Sequence, residues 1–170
     1  TWTATDDCGN VKAASQVITI QDLTAPVLAG VPANATAACD AIPAAPTVTA
    51  TDACDTSVVS VLTSATTPGS CPQSYTLTRT WTATDDCGNV HAESQVITVQ
   101  DTTKPIITST PAPVTVTCVS LIPQPDPNVV TATDDCGTVI VTHQGDTFTG
   151  SSCSQVMQRT YRVSDACGNI

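Results

Sequence analysis

The sequence predicts an all-β protein laid out as a row of small β-sandwiches, and three observations carry that reading. A short string returns at a fixed interval. Thr1 to Val11 reads TWTATDDCGNV, Thr80 to Val90 reads the same, and Thr160 to Ile170 reads TYRVSDACGNI, at offsets of 79 and 80 residues. Side chains alternate with a period of two, as in Tyr75 to Thr84: Tyr75, Leu77, Trp81 and Ala83 face one way, and the intervening threonines face the other. Turn residues cut the chain at short intervals, among them Pro43, Pro46, Pro68-Gly69, Pro111, Pro113, Pro123, Pro125 and Pro127. No stretch carries a helical period.

The segment behind the string repeats too: ASQVITIQDLTAP (Ala14 to Pro26) against ESQVITVQDTTKP (Glu93 to Pro105). The unit is therefore about 80 residues long. Residues 1–22 read as the last two strands (F and G) of one unit, 23–101 as a complete unit, and 102–170 as a unit without its last strand. The chain reads as a portion of a longer array. Strand signals fall at Thr47 to Asp52, Val58 to Thr63, Tyr75 to Thr84 and Gln95 to Val99, then again at Val129 to Asp134 and Val139 to His143. About seven short strands per unit, with turns every 8–12 residues, is the pattern of an Ig-like sandwich.

Composition limits what such units can do. Hydrophobic residues make up 41% of the chain but aromatics only 3%. A core of Val, Ala and Thr buries little area per residue, so covalent or metal staples are expected. Fifteen acids against five bases give a formal charge of −10. That excess argues against nucleic-acid and anionic-membrane partners, which select clustered Lys and Arg. No apolar run is long enough to cross a bilayer. Nine cysteines point to an oxidising compartment.

The cysteines follow the repeat. The complete unit holds Cys39, Cys54, Cys71 and Cys87, and the next holds Cys118, Cys136, Cys153 and Cys167; Cys8 is the fourth cysteine of its unit. In Ig order, Thr47 to Asp52 is strand B and Tyr75 to Thr84 is strand F. The B–C and F–G loops share one end, which places Cys54 and Cys87 together. Cys39, near the A–B turn, and Cys71, just before F, belong at the other end. The expected bridges are therefore Cys39–Cys71, Cys54–Cys87, Cys118–Cys153 and Cys136–Cys167. Zinc would need C-x₂₋₄-C spacing, which the chain lacks.

The acids gather at the same loops. T-A-T-D-x-C ends strand B (Thr49 to Cys54, Thr131 to Cys136) and strand F (Thr3 to Cys8, Thr82 to Cys87), and the linkers add Asp22 and Asp101. A linker enters a unit at the end that carries these loops. Asp22 is therefore expected to converge with Asp52, Asp85 and Asp86, and Asp101 with Asp134, Asp135 and Asp165. Packed carboxylates repel unless a cation neutralises them, and oxygen ligands on loops suit Ca²⁺ at the inter-repeat junctions. The competing reading is that Asp, Asn and Gly are plain turn formers and D-C-G-N is a tight hairpin.

The remaining candidates read mostly as structure. Trp2, Trp81 and Tyr161 hold equivalent places in strand F and are expected core anchors. Arg79 and Arg159 precede the last two and should meet a carboxylate or a backbone carbonyl. His91 stands where the earlier unit has Lys12, a surface position, and His143 stands alone on a C-strand. The many threonines read as solvated strand faces, with O-glycosylation at Asp101-Thr102-Thr103 and an N-linked sequon at Asn34-Ala35-Thr36 as the sharper alternatives.

The combination R-T-W-T-A-T-D-x-C-G-N followed by S-Q-x-I-T-V-Q-D-T-T-x-P resembles the HYR and HYR-like repeats. These are Ig-like modules found in tandem in extracellular proteins, notably very large surface proteins of Bacteroidetes type. The resemblance implies an adhesive or structural role at a bacterial cell surface and supplies no catalytic residues. Tyr161-Arg162-Val163-Ser164 and Asp165-Ala166 depart from the pattern, leaving one potential calcium ligand fewer in the third unit. The expected function is a non-catalytic stalk or filament. Its partners would be neighbouring repeats of the chain, surface glycans or other cells' surfaces, and laterally associated copies. The alternative is a carbohydrate- or protein-binding module attached to a secreted enzyme, although the aromatic platform of a sugar-binding face is missing. An enzyme is not expected: no G-x-S-x-G, H-E-x-x-H or Cys–His pair recurs between units.

Overall fold

A computed structural model describes residues 1–151 and 154–170. It contains twelve strands: β1 (Trp2–Thr5), β2 (Val11–Ala14), β3 (Val27–Ala29), β4 (Ala35–Ala38), β5 (Thr49–Thr51), β6 (Ser60–Pro68), β7 (Tyr75–Thr84), β8 (Val90–Gln100), β9 (Ile106–Ser109), β10 (Thr131–Thr133), β11 (Val139–Ser151) and β12 (Ser154–Asp165). Among the described residues there is no α-helix, only single 3₁₀ turns at Val119–Leu121 and Pro127–Val129. Among the described residues the fold is all-β with two disulfides.

Strand β7 forms where threonine alternates with larger side chains, and it occupies the middle of a four-stranded sheet in the order β4-β8-β7-β6. Its neighbours β6 and β8 run antiparallel to it, while β4 adds to β8 in parallel, with Ala38 opposite Gln100. The two-stranded sheet β3–β5 lies over this one. Leu28 and Val48 pack on Trp81 and Ala83, with Val31, Ala50 and Val58 around them. Alternation carries Arg79 to the same inner side, where it is 8% exposed. No carboxylate meets it. Its Nη2 donates to the Pro43 carbonyl at 2.7 Å and its Nη1 to Gln95 Oε1 at 3.5 Å, so a buried charge is held by backbone and amide oxygens.

Residues 27–100 therefore use six strands: nothing fills the places of Ig strands D and E, because β6 turns directly into β7 through Gly69 to Ser74, and β4 is an additional strand between A and B. The same pairings recur further on, as β9–β10 and β11–β12. Val114 to Thr117, which correspond to β4, are not a strand. Arg159 repeats the role of Arg79: its Nη1 donates to the Pro123 carbonyl at 2.9 Å, and Nε and Nη2 grip Asp146 at 2.9 and 2.8 Å. His143 is not alone, because its Nε2 lies 2.8 Å from Asp146.

Two further expectations need correction. Trp81 is 2% exposed and anchors the core as expected; Trp2, on the described pair β1–β2, is 62% exposed. Tyr161 is half-buried, with its hydroxyl accepting from the Asp126 N–H at 3.2 Å. His91 is not a free surface residue. Its Nδ1 donates to the Pro26 carbonyl at 2.8 Å and fixes the incoming linker.

Trp81→Ala should cost about 3–5 kcal/mol in denaturant unfolding, whereas Trp2→Ala should stay within about 0.5 kcal/mol. The hydrogen bonds from Arg159, then His143, hold the Asp146 carboxyl well below the usual carboxylate range. The stabilisation from this cluster is therefore present above about pH 4 and lost as pH falls further. Asp146→Asn should flatten the acid limb of a stability-against-pH curve.

Candidate junction site

Register sets the lower edge of the large sheet. Because β4 and β8 run parallel with Ala38 opposite Gln100, Cys39 and Asp101 leave the sheet side by side. The turn before β7, closed by the Ser74 N–H to the Cys71 carbonyl at 3.0 Å, brings Cys71 and Gln73 to the same edge. Facing this edge are the loops after β10 (Asp134 to Gly137) and after β12 (Asp165 to Asn169). The linker, Gln100 to Pro105, is too short to hold the two apart.

The cysteines pair across that joint. Cys39 is bonded to Cys136 with Cα atoms 5.7 Å apart, and Cys71 to Cys167 with Cα atoms 5.2 Å apart. This corrects the expected Cys39–Cys71 and Cys136–Cys167 bridges. The ends were assigned as the structure has them, but the lower pair is bonded to Cys136 and Cys167 across the joint and not to each other. Cys54 and Cys87 are free thiols, not a bridge, and Cys8 and Cys118 are free as well. The expected Cys118–Cys153 bridge falls on Cys153, outside the described residues.

Each D-x-C-G-N string folds into the same hairpin. At the second joint Asp165 Oδ1 accepts from the N–H groups of Cys167 and Asn169 at 2.8 and 2.9 Å, and Oδ2 from Asn169 Nδ2 at 2.6 Å. Gly168 has φ of +91°, the left-handed conformation that glycine adopts without strain. The Asn169 amide also reaches the Asp101 carbonyl at 3.2 Å, tying the loop to the linker. At the first joint Asn89 Nδ2 donates to Asp85 Oδ2 at 2.8 Å and to the Asp22 carbonyl at 3.3 Å. The turn-forming reading of the strand-F aspartates thus describes Asp85 and Asp165 well. Burial pushes the Asp165 carboxyl up, but hydrogen bonds from Asn169, Cys167 and Gly168 outweigh it and leave the group lowered.

The linker and B–C aspartates are used differently. Asp101 Oδ1 accepts from the Thr103 N–H at 3.1 Å and Asp134 Oδ1 from the Cys136 N–H at 2.8 Å. Their second oxygens, Asp101 Oδ2 and Asp134 Oδ2, are buried with no hydrogen-bond partner. Carboxylate oxygens of Asp101, Asp134 and Asp165 lie within 4.8 Å of one another, and Asp101 also lies within that distance of the sulfurs of Cys39 and Cys136. Burial against the disulfide, then the charges of Asp165 and Asp134, push the Asp101 carboxyl up. At the first joint the corresponding group is Asp22, Asp52 and Cys54. Asp86 and Asp135 are exposed and belong to neither group; Asp86 offers only its N–H, to Asp55 Oδ2 at 3.0 Å. Asp55 was not anticipated, although its place directly behind Cys54 is a visible signal. Gly137 holds the corresponding place in the second joint, where a Cβ would sit 2.4 Å from Gln73 Nε2.

The arrangement defines a cysteine-bridged β-module whose working features lie at its ends. Residues 27–99, which span β3 to β8 and contain Cys39, Cys54, Cys71 and Cys87, match the family model of the HYR-like domain with 4 cysteines. No curated protein matches the chain.

Asp165→Ala removes three acceptor contacts and takes the partner from the Cys167 and Asn169 N–H groups, and should cost about 1–3 kcal/mol in chemical denaturation. Asp135→Ala, outside both groups, should stay within about 0.5 kcal/mol.

Proposed function

We propose that this chain is part of a non-catalytic extracellular array in which HYR-like, Ig-like sandwiches of about 80 residues follow end to end, serving as a stalk or filament with an adhesive role. The observation that carries this reading is the pair of disulfides across the joint. A bridge between consecutive units adds nothing to a binding pocket but removes the hinge that a short linker otherwise leaves. Stable disulfides belong to an oxidising, extracytoplasmic setting. No described helix is long and apolar enough to cross a membrane. Neighbouring repeats are the first partners of such a unit, and surface glycans or other cells' surfaces are the outer ones.

Ca²⁺ is proposed as the second lock. The two orphaned oxygens of Asp101 and Asp134, with the Asp165 carboxylate beside them, are hard donors in a cluster that repels itself when fully ionised. The remaining ligands would be water or backbone oxygen. Dissociation constants on the order of 10⁻⁴ to 10⁻³ M fit extracellular modules. The competing way to relieve the cluster is a proton on Asp101.

Small-angle scattering tests the array: the oxidised chain should be longer and stiffer than the reduced chain, and identical profiles would contradict the locked joint. Thermal unfolding with millimolar calcium and with chelator tests the ion. Calcium should raise the melting temperature, and Asp101→Asn should abolish that increment while raising stability in chelator, because it removes a buried charge. No calcium increment in the parent chain would remove the ion and leave the disulfide joint standing.

A further inference from the structure

We propose that Cys54 and Cys87 are the receiving half of a second joint of the same kind, each forming a disulfide with the first and third cysteines, respectively, of another four-cysteine repeat. The inference rests on the array reading above. The equivalent residues Cys136 and Cys167 are bonded in this way to Cys39 and Cys71, first cysteine to second and third to fourth. Cys136 and Cys167 are not bonded to each other, although they share one end of their unit.

The receiving end is already built around Cys54 and Cys87. Asn89 makes to Asp85 and the Asp22 carbonyl the contacts that Asn169 makes to Asp165 and the Asp101 carbonyl. Asp22 and Asp52 lie against Cys54 as Asp101 lies against Cys136. The cover is what differs. Asp101 is 7% exposed beneath the Cys39–Cys136 bridge, whereas Asp22 is only half-buried and both neighbouring thiols are exposed. Residues 1–22 cannot supply that cover, since their one cysteine, Cys8, occupies the fourth position of its string.

The chemistry balances as thiol oxidation. Each bond joins two sulfurs, releases two protons and passes two electrons to the disulfide of a thiol–disulfide oxidoreductase, which leaves as a dithiol. Cys118 presents the donating first cysteine at the far end of the chain.

A covalent ladder follows. Fourteen residues lie between Cys39 and Cys54 and fifteen between Cys71 and Cys87. With every joint closed, a pulled array would extend by these tracks alone, about 50 Å per repeat against about 270 Å for an unbridged unit.

The test uses the native polypeptide, isolated under N-ethylmaleimide and digested without reduction, with linked peptides sequenced by mass spectrometry. Cys54 and Cys87 should be uncapped and joined to first and third cysteines of another repeat. Mixing isotopically heavy and light protein before oxidation separates the sources: mixed-isotope pairs show a second copy, and pure pairs show the same polypeptide, either of which supports the proposal. Capped Cys54 and Cys87, or a Cys54–Cys87 bridge, would overturn it. Cys39–Cys136 and Cys71–Cys167 in the same digest are the control. Their absence would strike the array reading, and their presence beside capped thiols would strike this inference alone.

Discussion

The parallel pairing of β4 with β8 is the contact on which the joint depends. Antiparallel pairing would send Cys39 and Asp101 to opposite ends of the sheet. Parallel pairing releases both at one edge, where the linker crosses to the next unit. From that edge one strand carries the chain onward through Asp101, and the other delivers a sulfur to Cys136. The linker is thus flanked by a bridge formed from its own neighbour in the sheet. The Cys71–Cys167 bridge is set by the turn before β7. Two covalent links and one peptide linker, at separate points of the contact, remove rotation that any single one would permit.

The energetics favour links across the joint. The described core is small, centred on Leu28, Val48, Trp81 and Ala83, and many apolar side chains remain exposed. Each bridge closes a loop of nearly a hundred residues, with sequence separations of 97 and 96. In the chain-entropy model a first closure of that size is worth about 4–5 kcal/mol, against about 3–4 for a bridge within a unit. The same covalent bond therefore gains more by joining units than by stapling one. Closing the joint buries Asp101 against sulfur and its neighbouring carboxylates, which is where a cation or a proton would relieve the repulsion.

Much of this was legible in the residues, for identifiable reasons. The bounds of β7 follow from unbroken alternation between Tyr75 and Thr84, and the ends assigned to the four cysteines follow from their places beside strands. The meeting of Asp101 with Asp134 and Asp165 follows from a linker too short to go elsewhere. The partners of the cysteines were not legible, because spacing within one repeat fits a bridge inside the unit as well as one across the joint. Only the three-dimensional distance between edges decides between them. The division of labour among the aspartates was hidden for a similar reason. The D-x-C-G-N string shows that Asp165 could turn the chain or bind an ion, but not that Asn169 already occupies one of its oxygens.

Single-molecule pulling of the chain from Thr1 to Ile170 distinguishes bridges across the joint from bridges inside each unit. With Cys39–Cys136 and Cys71–Cys167 closed, the shortest covalent path is about 72 residues, so the oxidised chain should reach about 250 Å and no more, lengthening to about 580 Å on reduction. A limit near 350 Å, the value for bridges confined within each unit, or no difference between oxidised and reduced chains, would contradict the account.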